Sequence, residues 1–209
     1  MKYYLRMGLT LLLIAVIAGG ILAVVNDYTA PIIKQTKLQT EVQARREVLP
    51  SATFFVKDSI AVAKAKTKRN PLKIVQDTSS DTSFFIYYKG FSADSTLAGY
   101  CYIASLYGYS SNVKTMVGVT PEMTINKIKV ISQQETPGLG ANCEKAEFQA
   151  GFNTLDAAAL HVDKDGGAVK SITGATITSR AITNSIRAGL EILNKQASGS
   201  AAPETQKEV

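Results

Sequence analysis

Among 209 residues the chain has one histidine, His161, and two cysteines, Cys101 and Cys143. So sparse a supply of nucleophilic and metal-binding side chains excludes much chemistry. No C-x-x-C pair is present, which argues against a zinc knuckle or a thioredoxin-type site. His161 stands in an apolar stretch, Ala158-Ala159-Leu160-His161-Val162, where a structural role suits it, and no Ser–His–Asp set can be built around it. Asp163 and Asp165 resemble the start of a calcium loop, but the third ligand and the distal Glu are missing, which leaves a plain turn. Two unpaired buried thiols are the expected state of Cys101 and Cys143, although a disulfide is permitted if the domain lies outside the cytoplasm. There is no internal repeat and no nucleic-acid-binding motif.

Charge is also missing where it matters most. Residues 7–25, MGLTLLLIAVIAGGILAVV, carry none. At 1.5 Å per residue this run spans about 28 Å as a helix, close to the hydrocarbon thickness of a bilayer. No A-x-A cleavage site follows it, no lipobox cysteine lies near its end, and it exceeds the usual apolar length of a signal peptide. A retained anchor is expected. Lys2 and Arg6 precede the run and Asp27 follows it, so the positive-inside rule puts residues 1–6 in the cytoplasm and the rest of the chain outside. The formal net charge is +6, and the excess is local: residues 34–73 hold ten Lys or Arg against Glu41, Glu47 and Asp58. This basic stretch reads as a solvated helix face, or as a surface held near lipid headgroups or an acidic partner.

With 45% apolar residues the remainder can build a core. Residues 32–49 read as a helix continuing from the anchor and ending at Pro50. Residues 58–80 are mixed and poorly periodic. Four runs rich in aromatic and β-branched residues predict strands over 83–88, 97–104, 113–119 and 125–131. A short helix is predicted over 155–160. Val162 and Val169 flank a tight turn between short strands. In residues 179–195, Ile182, Ile186, Leu190 and Leu193 recur at helical spacing and predict an amphipathic helix. The small, polar residues 196–209 read as a disordered tail. The expected architecture is an α+β domain over 81–195 with a mainly antiparallel sheet and flanking helices, joined to the 7–25 anchor by a helical, basic segment over 26–80.

Two segments carry chemistry. In Ser171-Ile172-Thr173-Gly174-Ala175-Thr176-Ile177-Thr178-Ser179-Arg180, five hydroxyls gather at the start of the predicted helix. A helix N-terminus presents unpaired N–H groups and partial positive charge, so it seats a phosphate naturally. Gly174 and Ala175 leave room for a bulky group, and Thr178 is placed to serve as the N-cap. The other reading is simple capping after a turn. In Glu135-Thr136-Pro137-Gly138-Leu139-Gly140, the proline and two glycines fix an irregular loop that can lie against a flat ring and bond its edge, or can be a surface turn.

The run GYSSNVKTMVGVTPEMTINKIKVISQQETPGLG followed by TGATITSRA resembles the FMN-binding domain of the G subunit of Rnf-type electron-transport complexes, a relative of the C subunit of the sodium-translocating NADH:quinone reductase. The anchor and the ARREVLP helix end fit the same family. The resemblance implies covalent FMN, attached through a phosphoester to Thr176 by a flavin transferase that uses FAD as donor. It places Glu135, Thr136, Leu139 and Gly140 beside the ring, and Thr173, Gly174, Ala175 and Thr178 beside the phosphate. The family's pattern has Asp six residues before the acceptor threonine; here that position is Lys170, which could pair with the flavin phosphate instead. The implied role is an electron relay within a membrane complex that couples ferredoxin:NAD electron transfer to Na⁺ or H⁺ movement, with the other subunits as partners. A C-type subunit, a stand-alone anchored electron donor and a non-redox anchored scaffold are the alternatives.

Overall fold

The computed structural model describes residues 2–63, 75–76 and 82–198. Helix α1 runs without a break from Lys2 to Val48, through Pro31. The anchor and the helix expected over 32–49 are thus one element. It is long and apolar enough to cross a membrane, and its aliphatic side chains from Leu9 to Val25 lie exposed along it. An apolar surface of that length, with no protein against it, suits lipid.

The compact unit begins at Gln43. Its sheet contains β1 (Phe54–Ala63), β2 (Val75–Gln76), β3 (Thr82–Phe91), β4 (Leu97–Tyr107), β5 (Asn112–Val119) and β6 (Ile125–Ser132). The main order is β1-β3-β4-β5-β6, with the two-residue β2 pairing β3, and every pairing is antiparallel. The four strands expected from composition are all present. Strand β1 was not expected: it lies inside the segment read as helical and basic, where consecutive Lys57, Asp58 and Ser59 mask a strand pattern. It pairs in register from Phe54↔Phe91 to Ala63↔Thr82. Residues 64–74 and 77–81 of the poorly periodic stretch lie outside the described residues.

Both faces of the central strands are covered. On one face, Val113, Val117 and Val119 of β5 and Ile125, Ile128 and Val130 of β6 meet Ile182, Ile186, Leu190 and Leu193 of helix α3 (Thr176–Ser198). The predicted helical stripe is therefore the buried one, and each fully buried Leu or Ile stabilises the fold by about 1.5–3 kcal/mol. On the other face, Ala44 and Val48 in the last turn of α1 cover Cys101 and Met116. Gly118 makes that approach possible, since a Cβ there would run into the Val48 carbonyl. Asn126 Nδ2 then donates to the Val48 carbonyl at 2.7 Å, and Glu47 bridges Lys127 and Lys129 at 3.2 and 3.1 Å. Cys101 and Cys143 are free thiols packed in different apolar clusters. Burial pushes each up to about 12, so neither offers a reactive thiolate.

Three local expectations are corrected. Residues 155–160 form turns rather than a helix. Ile125 takes the backbone hydrogen bonds of that stretch, donating to the Leu155 carbonyl and accepting from Thr154 N–H, and Asp156 Oδ1 accepts from Ala159 N–H. Helical bonds cannot form as well. Val162 and Val169 form a single parallel bridge around a 3₁₀ turn, Asp163–Asp165, rather than two strands. Helix α3 starts at Thr176 and continues to Ser198, into the first residues of the expected tail; residues 199–209 lie outside the described residues.

Candidate functional site

The two chemical segments meet, and Glu135 joins them. Its backbone leaves β6 and turns into the loop Thr136–Gly140, which is closed by Leu139 N–H and Ala141 N–H, both donating to the Thr136 carbonyl. A 3₁₀ turn (Gly140–Glu144) and the short helix α2 (Ala146–Ala150) follow. The Glu135 side chain is 6% exposed. Its Oε1 accepts from the backbone N–H of Ser110 and of Ser111, each at 3.0 Å. Its Oε2 accepts from Tyr109 N–H at 3.2 Å and from the Thr178 hydroxyl at 2.7 Å. One carboxylate thus fastens the β4–β5 connection, its own loop and the first turn of α3.

Burial pushes this carboxyl up, but the donors from Thr178, Ser111, Ser110 and Tyr109 outweigh it and hold the group below the ordinary value of 4.5. It is therefore charged at neutral pH. Two glycines make space for it. A Cβ on Gly108 would lie 2.8 Å from Oε1, and one on Gly140 would lie 2.7 Å from Oε2 and 2.9 Å from Thr178 Oγ1. Gly140→Ala is expected to push Glu135 and Thr178 apart. The expected loss is about 1–3 kcal/mol of stability, measured by urea unfolding.

The Gly-Ala-Thr segment is held as firmly. Gly174 has φ +76°, a left-handed turn that a side chain would strain. Leu139 packs over it: a Cβ on Gly174 would lie 2.9 Å from Leu139 Cδ2. The Ser179 hydroxyl accepts from Ile172 N–H at 3.0 Å and donates to the Ala175 carbonyl at 3.1 Å, tying the turn to the helix it precedes. Ser179 N–H makes the first i→i−4 bond, to Ala175. The N–H groups of Thr176, Ile177 and Thr178 belong to the first turn, where no intrahelical acceptor exists.

Thr176 is half-buried at the first position of α3. Thr178 is fully buried inside the first turn and spends its hydroxyl on Glu135, so it is not the N-cap. Gly140 and Ala175 are buried; Thr136, Leu139, Lys170, Thr173 and Gly174 are exposed. Glu135, Leu139 and Gly140 come together with Gly174 and Thr178. Among the described residues, no hydrogen bond ties the side chains of Thr136, Lys170 or Thr173 to either segment. Lys170 precedes Ser171, whose N–H donates to Asp163 Oδ1 at 3.1 Å. Arg180, one turn beyond Thr176, makes a two-pronged pair with Asp165 at 2.8 and 2.6 Å. His161 lies with Nε2 2.6 Å from Arg187 Nη1. Tyr109, Ser110 and Ser111 are the members of the site that sequence reasoning passed over. They contribute backbone N–H, which no side-chain pattern announces, and Ser111 adds a hydroxyl that accepts from Gln134 N–H at 2.8 Å.

Comparison with known proteins gives the family and the fold. The family model described as FMN-binding domain matches residues 108–191, from the glycine before Tyr109 to Glu191 within α3. A second model, described as the RnfG N-terminal region, matches residues 2–48, the extent of α1. The G subunit of the proton-translocating ferredoxin:NAD(+) oxidoreductase complex of Clostridium ljungdahlii is 31% identical over 84% of this chain and 83% of its own length. The G subunit of the ion-translocating oxidoreductase complex of Methanosarcina acetivorans is 27% identical over 93% of this chain and 97% of its own. The crystal structure of NqrC from Shewanella oneidensis superposes with a TM-score of 0.56 at 16% identity, over 78% of this chain and all of that one, and shares the fold.

Proposed function

This chain belongs to the family of G subunits of ion-translocating oxidoreductase complexes, and we propose that it relays electrons through FMN joined by a phosphoester to Thr176. The observation that carries this reading is the convergence on Glu135. It holds the ring-side loop and the first turn of α3 together, with the Thr176 hydroxyl one helical position from the Gly174–Ala175 turn.

The residues fit the group. The first-turn N–H groups and the helix dipole favour a phosphate beside Thr176. Thr173, Gly174 and Ala175 stand on that side, and Lys170, six residues before Thr176 and exposed, is the cation this segment offers. On the other side an added Cβ at Gly138 would meet nothing within 4 Å, so the loop that carries Thr136, Leu139 and Gly140 is open at that point to a flat ring. Glu135 and Thr178, whose polar atoms already serve each other and the β4–β5 connection, hold these groups in place rather than touching the ring.

Attachment needs a flavin transferase as partner. Attachment would join the Thr176 oxygen to the phosphorus of the FMN half of FAD, with the pyrophosphate bond broken, AMP leaving and the hydroxyl proton released. Bound FMN supplies one- and two-electron transfer. The protein's share is to fix its position and to prevent its loss. The anchor keeps the domain at the membrane, with residues 1–6 in the cytoplasm and the domain on the opposite side. Within the complex, electron transfer between ferredoxin and NAD⁺ drives movement of Na⁺ or H⁺. One span without intramembrane charge gives no ion path, so the path belongs to other subunits.

The test is the intact mass of the full-length chain, purified in detergent after co-expression with a flavin transferase and after expression without it. A gain equal to one FMN phosphoester, dependent on the transferase, is expected. A folded chain with no gain beside an active transferase would overturn covalent attachment.

A further inference from the structure

Four large apolar side chains around the site are exposed without need: Tyr107 at 59%, Tyr109 at 68%, Leu139 at 43% and Ile177 at 53%. Among the described residues, the other large exposed apolar groups of the compact unit, Phe54, Val56, Phe84 and Leu97, lie on β1, β3 and the start of β4. The four at the site come from three separate segments that share the Glu135 carboxylate. Leu139 is already seated on Gly174, and Ile177 follows Thr176. Tyr109 is the outlier: an aromatic ring at a connection, joined to no aromatic pair among the described residues.

The backbone that carries this ring is firmly held. Tyr109 N–H meets the same oxygen, Glu135 Oε2, as the Thr178 hydroxyl. The N–H groups of Ser110 and Ser111 take the other oxygen, and the Tyr107 hydroxyl donates to the Ser110 carbonyl at 2.8 Å. A single carboxylate oxygen therefore separates the Tyr109 backbone from the turn bearing Thr176. A tyrosine on such a rigid support offers a large amphipathic surface at little entropic cost, the usual basis of a ring-binding side chain.

We propose that Tyr109 packs its phenol against the flavin ring of the Thr176-bound FMN, forming with Leu139 and Ile177 an apolar seat that shields the ring from water. This rests on the function proposed above and names a contact residue beyond the two motif segments. The side chain has no structural duty in holding the connection, since the three N–H bonds to Glu135 belong to the backbone. Replacing the side chain leaves those bonds in place.

The test uses the full-length chain co-expressed with the transferase, as wild type, Tyr109→Ala and Tyr109→Trp. Intact mass first establishes that each carries one FMN. Absence of FMN from the wild type would sink the covalent reading itself, separately from this one. With the flavin present, fluorescence yield and iodide quenching are measured. A phenol or indole against the ring quenches its emission by giving an electron to the excited ring and recovering it. Tyr109→Ala is expected to lose that quenching and to admit iodide, while Tyr109→Trp stays dark and shielded. If Tyr109→Ala matches the wild type in both readouts, the ring does not rest on Tyr109 and the proposal falls; the exposed tyrosine then belongs to an interface with another protein of the complex.

Discussion

Thr176→Ala, in the full-length chain co-expressed with a flavin transferase, is expected to lose covalent FMN completely while keeping its fold. The Thr176 side chain is half-buried at a helix start, and no side-chain hydrogen bond of its own is found among the described residues. Removing its hydroxyl and methyl there should change stability by no more than about 0.5 kcal/mol, within the range of ordinary surface substitutions. Thr176→Ser keeps a hydroxyl at the same helical position and is expected to keep at least part of the flavin. Intact mass and in-gel flavin fluorescence read both variants. In the assembled complex, Thr176→Ala should also abolish electron transfer that depends on this flavin. Retained mass gain in Thr176→Ala would move the acceptor elsewhere, and Thr173 would be tested next because it is exposed. Thr178 is the poorer candidate, being buried and bonded to Glu135.

Glu135→Ala is expected to have the largest effect on stability of any single change at the site. It removes the acceptor for three backbone N–H groups and for the Thr178 hydroxyl. A buried donor left without a partner costs about 1–3 kcal/mol. Water can reach part of the Tyr109–Ser111 connection, so the sum is smaller than four such penalties, at about 3 kcal/mol. That is a large share of the ~5–15 kcal/mol by which domains are stable. Glu135→Gln keeps one acceptor oxygen and should cost about 1–2 kcal/mol.

The charge adds a pH signature. The folded carboxyl is held below its ordinary value of 4.5. Its contribution is complete above the unfolded value, shrinks as pH falls through that value, and is gone below the folded one. Urea midpoints measured between about pH 6 and pH 3 should fall less steeply in Glu135→Gln than in the wild type. Some slope remains, because Asp58 is held low too: burial raises it, but Lys89, Tyr87 and the Ser59 N–H lower it further. Equal slopes in the two proteins would show that the Glu135 carboxyl titrates alike in the folded and unfolded chain, and that its hydrogen bonds do not hold it low.

What was legible in the sequence follows from period and composition. Ile182, Ile186, Leu190 and Leu193 repeat at the helical period, and all four are buried on α3. Val113, Val117 and Val119 mark β5 by their branching and alternation. The uncharged run over residues 7–25 reads as a span from length and composition. Strand β1 was not legible, because its pairing partner lies far along the chain and its Lys57-Asp58-Ser59 centre looks like loop. The short helix α2 was missed for want of length. The helix read over 155–160 failed because Ile125 competes for the backbone of residues 154–155. The Glu135 and TGAT segments were visible as motifs, but their joining was not. The bond from Thr178 to Glu135 spans 43 positions, and those from Tyr109, Ser110 and Ser111 span 24 to 26.

Those separations bear on when the turn that bears Thr176 acquires its shape during synthesis. Glu135 emerges from the ribosome with its β4–β5 partners already made, but Thr178 comes 43 residues later. The stripe of α3 that fixes the first turn against β5 and β6 comes later still, ending at Leu193. The geometry around Thr176 is thus a product of late, non-local contacts. A modifying enzyme that reads this turn rather than a linear peptide would find its substrate only on a chain that has finished folding. Unfinished chains would pass it unlabelled, and the flavin itself would then serve as a stamp of completed folding.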